Sequence, residues 1–181
     1  LYQYGDPKTG WDLAALPMAG ERKPIVVVSA PFEERGGQFS PDGRWLGRIT
    51  TTGFRLRDLT GTTTYTIPGD SSGVTEAWAW SPDSNRLLLS WHTDGRVSRF
   101  DVLDVDTRQS RGVSAAGRTP LAVANDGKVL YWKPDAQTLA VEDLSTGSVR
   151  ALIPERRSLL RQGEKVHLNS LRLAPDGRHA A

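Results

Sequence analysis

Phe39-Ser40-Pro41-Asp42-Gly43-Arg44 is a phrase that recurs along the chain. Its further copies are Trp80-Ser81-Pro82-Asp83-Ser84-Asn85-Arg86, Val123-Ala124-Asn125-Asp126-Gly127-Lys128 and Leu173-Ala174-Pro175-Asp176-Gly177-Arg178. Proline presets φ, aspartate bonds to nearby backbone and glycine accepts positive φ, so the phrase predicts a tight turn. The aspartates lie 41, 43 and 50 residues apart. Self-similarity at this period is typical of a radial or solenoidal repeat built from one supersecondary unit.

A second phrase falls between copies of the first. Its copies are Asp58-Leu59-Thr60-Gly61, Asp104-Val105-Asp106-Thr107 and Asp143-Leu144-Ser145-Thr146-Gly147. Around the second turn, short apolar runs at residues 77–80, 86–91, 98–105 and 109–113 read as strands in hairpins. Helical spacing over ten or more residues is confined to residues 154–165. The sequence therefore predicts an all-β fold, a β-propeller of four-stranded antiparallel blades with about four blade units present.

These two phrases also carry a family resemblance. An aromatic residue before Ser-Pro-Asp-Gly-Arg, an apolar strand and then Asp-Leu-x-Thr-Gly resemble the WD40-like repeat of TolB-type β-propellers. Similar repeats occur in the propeller domains of prolyl oligopeptidases and dipeptidyl peptidases, and residues 11–45 are similar to propeller regions attached to bacterial Ser/Thr kinases. The resemblance implies a periplasmic or other extracytoplasmic location, with a cytoplasmic location left open.

The repeat spacing divides the chain into units of one propeller region, residues 1–181. The expected units are 1–36 (incomplete), 37–76, 77–119, 120–169 and 170–181 (incomplete). Two interpretations fit these ends. Either the strand at 171–174 completes the first unit and closes a small four-bladed ring, or the chain is a piece of a larger propeller. We favour the piece, because the resembling families use six to eight blades, and an open piece would self-associate through unpaired strand edges.

Composition excludes several classes of function. The 181 residues hold 23 basic and 21 acidic side chains, interleaved along the chain, so no nucleic-acid partner is expected. No apolar run approaches the roughly 18 residues of a membrane helix, so no membrane span is expected. With no cysteine and with His92, His167 and His179 scattered, the sequence predicts neither a metal nor a cofactor.

The sequence offers little for catalysis. Gly69-Asp70-Ser71-Ser72-Gly73 matches a nucleophile motif, but a predicted strand follows it where that motif needs a helix, so we interpret it as a loop. Asp42, Asp83, Asp126 and Asp176 recur in every unit, which favours a structural role in turns. We therefore expect the chain not to be an enzyme.

Binding is expected on the segments that join the last strand of one unit to the first strand of the next. In propeller geometry these inter-blade loops share one face. The candidate residues of that face are Glu33, Glu34, Arg35, Asp70, Glu76, Arg118, Arg157 and Arg161. The predicted function is a non-catalytic module that recognises a protein partner or a covalently attached domain. The alternative is the regulatory propeller of a larger enzyme, a prolyl oligopeptidase-like peptidase or a bacterial Ser/Thr kinase.

Overall fold

The computed structural model describes residues 1–29, 35–50, 53–69, 74–94, 96–115, 117–133 and 138–152. These residues form strands, turns and irregular segments, and none of them is helical. The strands are β1 (Tyr2–Asp6), β2 (Gly10–Ala15), β3 (Ile25–Val28), β4 (Arg35–Phe39), β5 (Trp45–Thr50), β6 (Gly53–Asp58), β7 (Thr64–Pro68), β8 (Val74–Trp80), β9 (Arg86–Thr93), β10 (Arg96–Asp104), β11 (Ser110–Ser114), β12 (Thr119–Val123), β13 (Val129–Lys133), β14 (Thr138–Asp143) and β15 (Ser148–Ala151). The chain divides into two compact units, Leu1–Thr75 and Glu76–Ala181.

The first unit contains two antiparallel sheets. One is three-stranded in the order β1-β2-β3, and the other is four-stranded in the order β4-β5-β6-β7. Leu13 from the first sheet and Leu46 from the second are fully buried together with Val28. Each four-stranded sheet is a simple meander, because consecutive strands are joined by short turns and pair with their neighbours. This is the blade predicted from the repeat.

The second unit repeats the meander twice. Its sheets are four-stranded, in the orders β8-β9-β10-β11 and β12-β13-β14-β15. One apolar cluster includes side chains of both sheets, among them Leu88 and Phe100 from the first and Val123 and Val129 from the second. Burial of these side chains away from water is the main force that holds two adjacent blades face to face.

The first repeated phrase folds into a hydrogen-bonded turn. The Ser40 hydroxyl donates to Asp42 Oδ1 over 2.5 Å and accepts the Trp45 N–H over 2.9 Å. Ser81 makes the same two bonds, donating to Asp83 over 2.6 Å and accepting the Arg86 N–H over 2.8 Å. In the third copy Ala124 has no hydroxyl, and the turn is one residue shorter, with the Ala124 N–H donating to the Lys128 carbonyl.

The two phrases occur together because their turns meet in space. The N–H of Leu59, in the second phrase, donates to the carbonyl of Arg44, in the first, over 2.8 Å. Val105 and Asn85 make the equivalent bond in the next repeat over 3.0 Å. Interleaving of the phrases along the chain is therefore the sequence signature of contact between the two hairpin turns of one sheet.

Candidate functional site

Strand registers place both kinds of turn at the same end of a sheet. Asp104 pairs with Arg86, and Leu103 pairs with Ser110, so the β8–β9 turn and the β10–β11 turn lie together. In the next sheet Val129 pairs with Glu142, which brings the β12–β13 and β14–β15 turns to one end. We call this end of the second unit's two sheets the turn end; its turns span residues 81–85, 105–109, 124–128 and 144–147.

A cleft of about 260 Å³ opens at the turn end between the two sheets of the second unit. Polar groups of β9 to β11 form one wall, and the β12–β13 and β14–β15 turns form the other. The side chains of Val102 and Leu144 contribute apolar surface. The remaining lining residues are Arg86, Asp104, Gln109, Ser110, Arg111, Asp126, Gly127, Asp143 and Ser145.

Hydrogen bonds hold the cleft carboxylates in their ionised form. The Thr107 N–H donates to Asp104 over 2.8 Å and, with Arg86 at 2.6 Å, keeps the pKa of Asp104 below its usual value although burial opposes this. The Ser145 hydroxyl and N–H lower the pKa of Asp143 in the same way. For Asp126, burial raises the pKa, but bonds from Lys128 outweigh it, and the net shift is downward. Near neutral pH all of these groups are therefore anions.

Arg111 differs from the other charged groups of the cleft. Arg86 is paired with Asp104, and Lys128 is paired with Asp126. The exposed Arg111 guanidinium lines the cleft and makes neither a hydrogen bond nor an ion pair with the residues that the structure describes. It is a fixed positive charge available to an incoming group.

The sequence predicts eight candidate residues on the inter-blade face, and the structure describes the side chain of one of them, Arg118. It lies in the β11–β12 segment at the opposite end of the sheets from the turn end, as the pairing of Ser114 with Arg99 requires. Arg118 forms an ion pair with Glu142, and its guanidinium carbon lies 5.1 Å from the ring centre of Tyr131. Its charge is therefore already compensated within its own sheet.

The other residues of that face cannot be assembled into a site. Arg35 on β4 and Glu76 on β8 are described in their backbone alone. The remaining candidates, Glu33, Glu34, Asp70, Arg157 and Arg161, fall outside the described residues, as do Ser71 and the segment 154–165. The inter-blade face thus stays a prediction.

The recurrent aspartates take part in turn hydrogen bonding where they are described. Asp42 accepts the Arg44 N–H over 3.0 Å, and Asp83 accepts the Asn85 N–H over 3.1 Å. Asp126 accepts the Lys128 N–H over 3.1 Å. Asp176 lies outside the described residues. In addition, the Asp83 N–H donates to Asn125 Oδ1 over 3.1 Å, which links the first turns of two neighbouring sheets.

The described part of the chain contains neither a cluster suited to a metal ion nor a membrane-spanning helix. Within residues 1–152, leaving out the gaps given above, no three His, Asp or Glu side chains are grouped so that they could hold a metal ion. In the same part of the chain no helix has the length and apolar character needed to cross a bilayer.

Sequence reasoning missed the cleft because it assigned the repeated turns a structural role only. A signal was present: both interleaved phrases contain aspartates, and three of the four copies of the first phrase end in an arginine. What the sequence did not reveal is that the turns of consecutive sheets leave an opening between them. That opening depends on how neighbouring sheets pack.

No protein-family model matches the chain, and the comparison with curated proteins gives no match. Among solved structures, TolB from Acinetobacter baumannii is similar over 97% of this chain and 43% of its own, with 19% identity and a TM-score of 0.60. The chain has a TolB-like β-propeller fold.

Two other propeller structures are also similar. Porphyromonas gingivalis dipeptidyl peptidase 4 matches 71% of this chain and 26% of its own, with 11% identity and a TM-score of 0.56. A chain of the nidogen–laminin complex matches 81% of this chain and 59% of its own, with 15% identity and a TM-score of 0.52. The chain therefore spans between about a quarter and three fifths of the length of these proteins, and the likeness shows the fold.

Proposed function

We propose that this TolB-like chain is a non-catalytic recognition module that binds a protein partner through the loops and turns at the ends of its blades. The observation that carries this proposal is the turn-end cleft. Its carboxylates are held in turns and ion pairs, whereas no described residue forms an ion pair with Arg111. Groups fixed as ions suit electrostatic matching of a partner better than proton transfer, which needs a pKa near the working pH.

Two further features belong to the same proposal. We also propose that the inter-blade loops contribute a second contact surface, with Arg118, Arg157 and Arg161 as its candidate residues. An extracytoplasmic location is proposed from the resemblance to TolB-type propellers. The presence of a similar propeller in the nidogen–laminin complex supports a role in protein binding.

Quantitative affinity capture tests the proposal. The purified chain is immobilised, exposed to extract of its source organism, and bound proteins are measured with and without excess free chain. We expect saturable enrichment of one protein. The amount of that protein captured should fall at least about tenfold when the chain carries Gln109→Ala plus Arg111→Ala. The control variant, Arg96→Ala plus Arg150→Ala at exposed strand positions, should capture the same amount as the unaltered chain. Absence of any saturable partner, together with hydrolytic activity abolished by Ser71→Ala, would contradict the proposal.

A second candidate is the regulatory propeller of a larger enzyme. Similarity to dipeptidyl peptidase 4, of which the chain spans 26%, favours it. Capture of an enzyme domain as the saturable partner, with its turnover altered on binding, would support this candidate over an independent recognition module.

A further inference from the structure

Arginine side chains cluster on one face of the β4–β7 sheet in the first unit. Arg48 on β5 is directly opposite Arg55 on β6, and Arg57 lies two residues further along β6 on the same face. Like charges directly opposite each other across two strands are destabilising. The pair, with Arg57 beside it, gives this face of the sheet a concentration of positive charge.

Two members of this cluster have no hydrogen-bond or ion-pair partner in the part of the chain that the structure describes. Arg55 is partly buried, and its Nε lies out of contact with solvent without a hydrogen-bond acceptor. Arg57 is exposed, and its side chain makes no hydrogen bond or ion pair with a described residue. Arg48 is only 8% exposed, and burial together with Arg55 and Arg57 lowers its pKa to about 10, so it remains a cation near neutral pH. The cost of withdrawing a guanidinium from water without an acceptor falls on Arg55, whose buried Nε has no acceptor among the described residues.

The neighbouring residues on this face suit an anion. Arg55 pairs with Thr66 and Arg57 pairs with Thr64 on β7, which places two exposed hydroxyl groups beside the two guanidinium groups. The strands β5 to β7 contain one acidic residue, Asp58, and it pairs with Trp45, on the opposite face, where Arg44 neutralises it. No carboxylate of these three strands therefore lies on the arginine face.

We propose that Arg55, Arg57, Thr64 and Thr66 form a binding site for an extended acidic segment of a protein partner, with carboxylates at alternate positions. Residues i and i+2 of a strand are about 6.8 Å apart, so alternate glutamates or aspartates of an extended segment match the spacing of Arg55 and Arg57. Each guanidinium can then take one carboxylate in a bidentate pair.

A nucleic acid fits this face less well. Single-stranded nucleic acid binds through aromatic side chains on which its bases stack, combined with a charged groove. The residues of β5 to β7 that share the arginine face are Leu46, Arg48, Thr50, Gly53, Arg55, Arg57, Thr64, Thr66 and Pro68, and none is aromatic. On β4, Phe39 pairs with Leu46 and so lies on the same face, but it packs against the buried cluster of Leu13, Val28 and Leu46 and is not a free stacking surface. The site also rests on the proposed recognition role, since it names the chemistry of the partner.

Binding of a defined probe tests the site. The probe is a fluorescein-labelled hexapeptide of alternating glutamate and serine, and the neutral comparison carries glutamine in place of glutamate. Fluorescence anisotropy is measured on the full chain, on Arg55→Gln plus Arg57→Gln, and on the charge-matched control Arg96→Gln plus Arg150→Gln. The control arginines are exposed and lie on the other compact unit.

We expect the acidic peptide to bind the unaltered chain in a salt-sensitive way and to bind the Arg55 and Arg57 variant at least about tenfold more weakly. The affinity of the control variant for the acidic peptide should stay within about twofold of the unaltered chain. Because the control makes the same change in net charge, a larger effect of the Arg55 and Arg57 substitutions is specific to their position. Circular dichroism and the thermal midpoint monitor folding, and Arg57→Gln alone, at an exposed position, keeps the test decisive if the double variant does not fold.

Three results would overturn the site. The first is that the unaltered chain does not bind the acidic peptide. The second is that the control variant loses as much affinity for the peptide as the Arg55 and Arg57 variant. The third is that a thymidine dodecanucleotide binds more strongly than the peptide and depends on the same two arginines. If the peptide test is negative but the chain still captures a partner, the site is refuted and the recognition role is not. Peptide binding with no captured partner, together with hydrolytic activity that Ser71→Ala abolishes, would instead contradict the recognition role and leave the site standing.

Discussion

Ser40 shows how one side chain stabilises a repeated turn. It is 3% exposed, and its hydroxyl bonds both the Asp42 carboxylate and the Trp45 N–H. Proline at 41 and glycine at 43, with φ of 75°, shape the backbone, but the hydroxyl is what satisfies the first N–H of the following strand. In the second copy Ser84 takes the glycine position with φ of 66°, so that turn tolerates a side chain in the left-handed region.

Substitution Ser40→Ala should lower the free energy of unfolding by about 1–3 kcal/mol, because it leaves the buried Trp45 N–H without its hydroxyl partner. Urea unfolding followed by tryptophan fluorescence measures the change. Ser110→Ala, at an exposed serine, is the matched control and should cost less than about 0.5 kcal/mol. Equal effects of the two substitutions would refute this role of Ser40.

Asp104 makes part of the stability depend on pH. Its pKa is lowered in the folded chain, chiefly by the Thr107 N–H and also by Arg86, from an ordinary value of 3.8. A carboxylate with a lowered folded pKa contributes stability that is complete above the unfolded value and is lost as pH falls through the folded value. The contribution should therefore be present at pH 5 to 8 and disappear below pH 4.

Comparison of the unaltered chain with Asp104→Asn tests this directly. The difference in unfolding free energy should be largest at pH 7 and should shrink as the pH is lowered from about 4 to 2. Urea unfolding at a series of pH values supplies the measurement. A difference that stays constant from pH 7 to pH 2 would show that the Asp104 charge does not contribute.

Among the elements, the β5–β6 hairpin depends on a glycine. Gly53, at the start of β6, has φ of 140°, and a Cβ there would point at the Ile67 carbonyl and the Gly69 N–H of the adjacent strand and its extension. Neither obstacle is the movable end of a side chain. The close approach of β6 and β7 at this point therefore requires a residue without a side chain.

Gly53→Ala should destabilise the chain by about 1–3 kcal/mol through backbone strain and this contact. Gly5→Ala on β1 is the control, since nothing lies within 4 Å of the added Cβ and its φ is not in the left-handed range. Thermal unfolding by circular dichroism compares the two. If the thermal midpoint of Gly53→Ala is unchanged, the ends of β6 and β7 can move apart without loss of stability, and the predicted role of Gly53 is wrong.

At the scale of the whole molecule, each compact unit has its own buried cluster. Phe100, Val123 and Val129 in the second unit are each 0% exposed and come from both of its sheets. These contacts also bring the turns together around the cleft. Loss of packing in this cluster should therefore affect both the stability of the second unit and binding at its turn end.

Phe100→Ala should reduce stability by about 3–5 kcal/mol, the usual cost of removing a buried aromatic ring. Val149→Ala on β15 serves as the control, because the Val149 side chain is half exposed. It should lower the free energy of unfolding by less than about 0.5 kcal/mol. Hydrogen exchange measured by mass spectrometry is expected to rise across β9 to β14 in the first variant. Unchanged protection there would contradict a shared core.

The amino-acid sequence by itself determined the local structure and the fold. Turn chemistry at Ser40 and Asp42 and at Ser81 and Asp83, with alternating apolar runs, is local, so the strands around the second turn were predicted close to their observed bounds. Tertiary structure alone decided which charged groups share a surface. The cleft beside Arg111 needs two sheets to pack, and the Arg48–Arg55 pair needs the register of β5 with β6. The cleft arises from contacts between residues distant in sequence, and the arginine pair from a strand register that the hairpin fixes; a local pattern of residue types encodes neither.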